Sequence, residues 1–493
     1  MALLVTVSLV AASCGSRLSG QSLSVAEGAG HAGDAASVSG SSTPATAAPG
    51  AGSTPVSSVP GAAGSVAAGS LGTGSANPAS PATTAAAAAN APGAPAAAGA
   101  TTAGFGPNCS AAANGGATDV GVTANSINVA NIASIGGVAP GLTQTARQAT
   151  QALVAYANSQ GGVCGRALKL QVFDDQSDAG QNNADATQAC QSDFALVGSA
   201  SGFDNGGAGA VQSCGIPYVG AELSTHELSN LPNTFAGAPG NGHYYPTGPA
   251  LYLKSKYPNA VTHAAMIYLN LPVTADGAMA EMHANQSVGF NYIYVASASV
   301  TEANYAPFVE KMRAAGVQYV TEFSDDNSAA RLSQAMAQAN FHPQVIDWFS
   351  EEYSQNFIQE SQGAADGNLV LMATMPYEDA ASNPGMQLYL SWLNRVAPGA
   401  KHDIFGQLAW SGGLAFLQAA RAVGGHLTRA AVIAQLHNIH RWDGGGVTFP
   451  VNDFGAKIPS PCFTYFKITG NAFSRVYPAA PNSLDCSGGL FHS

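Results

Sequence analysis

The chain has 493 residues, of which only 9% are charged, and 29 acidic against 17 basic residues leave a net charge of −12. That balance excludes a nucleic-acid binder, whose affinity needs a basic footprint to neutralise phosphates, and no Lys/Arg-rich run occurs in the sequence. Length alone would suggest about three domains, but Gly, Ala and Ser crowd the first hundred positions, so the folded part is smaller.

Leu3 to Ala12 form an apolar run too short to span a bilayer as a helix but suited to the core of a signal peptide. The stretch Val10-Ala11-Ala12-Ser13-Cys14 that closes it resembles a bacterial lipobox, in which the cysteine is diacylated and becomes the mature N-terminus. Residues 1–14 thus read as a lipoprotein signal. They predict an exported chain anchored by Cys14 to the outer face of the cell membrane, and no later segment is apolar enough to span it. From 15 to 107 the chain is almost entirely Ala, Gly, Ser, Thr and Pro, with only Arg17, Glu27 and Asp34 charged. Such a segment buries too little apolar surface to offset its backbone entropy, which predicts a disordered tether. Its mean reach as a flexible coil is roughly 50 Å.

After Cys109 strands and helices alternate. Strands are predicted over 126–133, 168–173, 195–197 and 216–219, and helices over 143–159, 181–192 and 207–213, each from its apolar period. A second run of the same kind follows. Its helices are predicted over 249–257, 276–284, 307–315 and 329–339, and its strands over 264–269, 292–296, 318–323, 344–349 and 367–373. Helices over 385–396, 406–423 and 429–437 come next, then a β-rich tail around 463–468. Strand–helix alternation implies right-handed crossovers and parallel sheets. The fold class is therefore α/β: two Rossmann-like lobes with parallel sheets joined by a hinge, with a ligand cleft at the carboxyl ends of the strands.

Five blocks of the first run resemble one family. GVTANSINVA at 121–130, YANSQGGVCGR at 156–166, VFDDQSD at 172–178, FALVGS at 194–199 and CGIPYVG at 214–220 are similar, in order, to motifs of the extracellular ligand-binding receptors of the branched-chain amino-acid type. LMATMPY at 371–377 supports the match further on. These are type I periplasmic binding proteins that feed ABC importers. The resemblance implies lobe one over 109–245 with a return over about 375–450, and lobe two over 246–374 with a tail over about 451–493. It also implies a small-molecule ligand, such as an amino acid or a related carboxylate or amide, and ABC permease and ATPase subunits as partners. No cofactor is implied. Ligand contacts carried over from the family fall on the loops with Ser199, Ser201, Phe203 and Asp204, and with Glu222, Ser224 and Thr225. Hydroxyls and free backbone N–H groups in such loops chelate a carboxylate without a buried cation. Glu351, or Glu352 beside it, is the candidate acceptor for an amino group, and Tyr268, Trp348 and Tyr377 are candidate aromatic walls.

The simplest structural role for Ser199 or Ser201 is a helix cap, and for the paired glutamates a complement to a helix dipole. Besides Cys14 there are six cysteines, which allow fifteen connectivities in an exported chain. Cys190 with Cys214 is the favoured pair, because both close successive helices on one face of the sheet. Cys462 with Cys486 would pin the tail, leaving Cys109 with Cys164. None lies in a C-x-x-C pair, so no metal site is expected. Catalytic patterns fail as well. The glycines at 198 and 202 have nucleophile-elbow spacing around Ala200 rather than a serine, and His226 lacks a second histidine at 230. Asp174 and Asp175 cannot both face a cleft from one strand and are expected to order the next turn. An enzyme is not expected. The competing reading is a ligand sensor or scaffold of the same fold.

Overall fold

The computed structural model describes residues 108–492 apart from Ser224 and Asn241. The signal segment, Cys14 and the tether therefore lie outside the described residues.

The first half contains β1 (Ser126–Ala133), α1 (Gln144–Ser159), β2 (Ala167–Asp174), α2 (Ala179–Ser192), β3 (Ala195–Val197), α3 (Ala208–Cys214), β4 (Tyr218–Gly220), α4 (His226–Ser229) and β5 (Thr234–Ala236). Its strands form a parallel sheet in the order β2-β1-β3-β4-β5. The second half contains β6 (Tyr244–Pro246), α5 (Gly248–Lys256), β7 (Ala264–Leu269), α6 (Pro272–Ser287), β8 (Tyr292–Ala298), α7 (Ala306–Ala315), β9 (Tyr319–Phe323), α8 (Asp326–Gln338), β10 (Val345–Trp348), α9 (Gln355–Glu360) and β11 (Leu369–Met372). Here the parallel order is β8-β7-β9-β10-β11, the same winding as in the first half.

The chain then returns through α10 (Pro384–Val396), α11 (Ile404–Val423) and α12 (Arg429–His437) and ends in β12 (Thr464–Thr469), β13 (Ala472–Tyr477) and β14 (Leu490–His492). The three returning helices share one apolar core with α1 and the first sheet. β12 and β13 extend the second sheet antiparallel beyond β11, and β14 pairs with β6. The order expected from sequence is thus present, with four short elements added that it did not indicate: α4, β5, β6 and α9.

Helix α11 is buried almost all round, as a helix at the centre of a large core must be. Two of its glycines permit this. A Cβ on Gly412 would stand 2.5 Å from the Gly220 carbonyl oxygen, and one on Gly413 would stand 1.9 Å from a Leu153 methyl. The first turns of α11 also hold the three segments that connect the two sheets. Fully buried Gln407 donates to the carbonyls of Met375 (2.7 Å) and Val447 (3.2 Å), on the second and third connections. Ser411 donates to Gly237 on the first (2.7 Å) and accepts from the Trp442 indole on the third (2.9 Å). Thr374 and Thr448 pair across the second and third connections.

All three expected disulfides are formed: Cys109–Cys164, Cys190–Cys214 and Cys462–Cys486. Among the described residues no helix is long and apolar enough to cross a membrane.

Candidate functional site

In both sheets the second strand in sequence lies outside the first and the third lies on its other side. The loops on the two sides of this switch diverge and leave a crevice at the carboxyl ends of the strands. The crevices of the two sheets share a cavity of about 240 Å³. The first half lines it with Leu142, Gly202, Glu222, Leu223 and Thr225, and the second with Leu271, Val273, Val300, Phe323, Phe349 and Glu351. An inner chamber of about 270 Å³ continues from it, between the second sheet and α5 and α6. The two meet at Glu222, Leu223, Gly242, Tyr245, Phe349 and Glu351. A polar outer mouth of about 440 Å³ carries Arg331, Lys401 and Asp403. Glu351 borders all three spaces.

The outer cleft is mostly apolar, and several polar groups at its edges already have partners. Asp325 accepts from the backbone N–H groups of Asn327 (2.9 Å) and Ser328 (3.2 Å) and so caps α8. Asp403 does the same for α11 through Gly406 (3.0 Å). Thr225 donates to Asp204 at 2.6 Å. The acids of the inner region differ. Burial and the neighbouring Glu222 carboxylate push Glu351 up to about 8. Burial, with the Asp347 carboxylate adding to it, raises Glu281 to about 8. Asp347 rises to about 7 through burial, against the pull of the Tyr319 and Tyr465 hydroxyls that donate to it (3.0 and 3.1 Å). Glu352 is fully buried, and neither of its carboxyl oxygens has a hydrogen-bond partner among the described residues. Burial lifts it well above the usual carboxylate range, with Glu351 the next cause.

The structure brings Glu222, Thr225 and Glu351 to the cleft, whereas Ser224 lies outside the described residues. Ser199 and Ser201 sit beneath the floor rather than on it. The Ser199 hydroxyl accepts from the Ile132 N–H (3.0 Å). That of Ser201 donates to Asp175 in a short bond and accepts from the Phe203 N–H (2.9 Å). Phe203 is partly buried and borders none of the three spaces. Trp348 is wholly buried and packs edge-on against Phe357, because pleating turns it to the face of the sheet opposite Asp347. Tyr268, near the end of β7, borders none of these spaces either. Tyr377 stacks on Tyr353 and His402 and donates to the Asp403 carbonyl (2.7 Å), so it ties the second connection to the start of α11. Asp174 and Asp175 do order the turn after β2. Asp174 accepts from the N–H groups of Ile135, Gly136 and Gln176, and Asp175 from that of Ser177.

Sequence reasoning passed over Glu281, Asp347, Tyr245, Tyr319 and Tyr465. One signal was available, since Asp347 interrupts the apolar strand Val345-Ile346-Asp347-Trp348, and a carboxylate inside a buried strand is rare without a reason.

A family profile described as periplasmic binding protein matches residues 126–467. A search of curated proteins finds no sequence match. Among solved structures, a fatty acid ABC transporter substrate-binding protein from Thermomonospora curvata superposes with a TM-score of 0.64 at 17% identity, covering 76% of this chain and 95% of that one. A solute-binding protein from R. palustris in complex with benzoate gives 0.61 at 15% identity, covering 72% and 97%. A branched-chain amino acid transporter substrate-binding protein from Streptococcus pneumoniae, in complex with isoleucine, gives 0.61 at 13% identity, covering 74% and 100%. At such identities the likeness establishes the fold.

Proposed function

The chain belongs to the periplasmic binding protein family, in its type I form, and we propose that it captures a small solute between its two lobes for delivery to an ABC importer. The carrying observation is the apolar cavity walled from both sides by loops at the carboxyl ends of two identically wound sheets. A solute there touches both lobes, so it stabilises the closed arrangement over any open one by the sum of those contacts. Gln407 and Ser411 clamp the three connections and mark the pivot of that closure. Leu223, Val273, Phe323 and Phe349 supply apolar contact, and Glu222 and Glu351 accept hydrogen bonds from the polar end. Energy for import comes from partner subunits, so the chain itself needs no chemistry. Cys14, diacylated, and the segment over 15–107 hold the binding unit at the outer face of the membrane.

A thermal-shift screen of the full chain against amino acids, small carboxylates, aromatic acids and amines tests this reading. A true ligand at a hundred times its Kd adds about 2.7 kcal/mol of stability, a shift of a few degrees. That gain should vanish when Val273→Trp fills the cleft. A broad panel without a hit, on folded protein free of copurified solute, would end the reading.

A further inference from the structure

The inner chamber is lined by Glu222, Glu281, Asp347 and Glu351 and by a series of aromatic rings, yet by no Lys, Arg or His among the described residues. Glu281 and Asp347 are 6% and 5% exposed, and each keeps one carboxyl oxygen without a hydrogen-bond partner among the described residues. The remaining oxygens are placed with care. Glu281 accepts from Asn285 (3.3 Å), which also donates to the Tyr292 hydroxyl (2.8 Å), and Asp347 accepts from two tyrosines. The Tyr245 hydroxyl, at the junction with the outer cleft, is likewise unpartnered among the described residues. Two buried acids that face one space with no protein cation cost stability unless they are protonated or a ligand supplies the charge. Rings around such a space favour an organic cation, because their faces carry the negative end of the quadrupole.

We propose that the inner chamber is a subsite for a protonated amine, held by Glu281 and Asp347, so that the solute is an organic cation whose apolar part occupies the outer cleft. The inference rests on the cleft being the solute site, and it places recognition of charge behind the cleft rather than at its mouth. Glu351 and Tyr245 form the threshold the amine crosses. As pH rises the acids ionise and the site gains its charge, so amine affinity increases with pH while the amine itself stays protonated. The groups that line the chamber with this pair or act on it are Glu222 after β4, Tyr244 and Tyr245 from β6, Tyr292 from β8, Tyr319 from β9, Tyr465 from β12 and Glu351 after β10.

Isothermal titration of the full chain with n-hexylamine and n-hexanol, equal in apolar arm and different in charge, tests the subsite. At pH 8.5 hexylamine should bind about tenfold or more tighter than hexanol. Glu281→Gln and Asp347→Asn should each remove most of that preference and leave hexanol within about twofold. In the unaltered protein, where folding of a variant is not at issue, hexylamine affinity should fall several-fold between pH 8.5 and pH 6 while hexanol stays level. Equal affinity for the two probes, or a preference that survives both substitutions, overturns the subsite. If hexanol alone binds and Val273→Trp abolishes it, the cleft reading stands without the subsite. If hexylamine binds in an acid-dependent way but ignores Val273→Trp, the chamber stands and the outer cleft does not. Absence of saturable binding by either probe overturns both.

Discussion

The two walls of the cleft are built on opposite principles. Under the first wall, the acids and hydroxyls nearest the floor are satisfied within the lobe. Asp175 accepts from Ser201, Ser177 and Asn182, Asp174 gathers three backbone N–H groups, and Thr143 donates to Ala200. Behind the second wall, Glu281, Asp347, Glu351 and Glu352 keep carboxyl oxygens with no partner among the described residues. A wall whose acids are engaged offers shape and backbone. A wall with unspent acceptors offers chemistry. The difference suggests that the first lobe is a preformed mould and that the second reads the identity of the solute.

Substitutions can break this comparison from either side. The largest effect is expected at Asp175, where Asp175→Ala strands three donors in a dry site and should cost about 3–4 kcal/mol in urea unfolding. A cost under about 1 kcal/mol would mean the first wall is less tightly satisfied than its geometry implies.

Next comes pH. Glu281, Asp347 and Glu351 have folded-state values raised above their unfolded ones. Between the two values the folded protein holds more protons than the unfolded chain, so stability is full below about pH 4 as far as these groups are concerned and declines as pH rises towards about 8. Unliganded protein should lose stability progressively between pH 5 and pH 8.5, and Glu281→Gln should flatten the slope. A flat or rising profile in calorimetric scans across that range, after allowance for the other titrating groups, would contradict the buried acids.

The smallest effect is expected at Ser201. Ser201→Ala removes one hydroxyl beneath the floor and should cost about 1–2 kcal/mol of stability. Loss of solute affinity well beyond that of a neighbouring control such as Ser199→Ala would instead place the Ser201 hydroxyl against the ligand.

The order of β1 to β4 and β7 to β11, and the helices between them other than α9, could be read from periodicity, because each element spans one short stretch with its own apolar face. α4, β5 and β6 escaped notice, being only three or four residues long and lacking a full period. The candidate site was legible only in part. Glu222, Thr225 and Glu351 follow strands and fall in the crevice, as strand-end residues of such sheets do. The serines at 199 and 201 also follow a strand, yet strand β1 engages the hydroxyl of Ser199, and the loop after β2 that of Ser201. Trp348 was misplaced because its direction depends on the pleat of β10, not on its nearness to the strand end.

By itself, then, the sequence determined two runs of alternating strand and helix, a composition break near residue 107 and six cysteines beyond Cys14. Those properties come from local period and composition, which a short window of chain carries in full. Tertiary structure alone decided that Asp347 meets Tyr465, 118 residues further on, and Glu281 on helix α6, and that no base joins them among the described residues. Their meeting depends on β12 returning antiparallel beside β11 and on α6 lying over the same face, contacts between distant segments that no local pattern encodes.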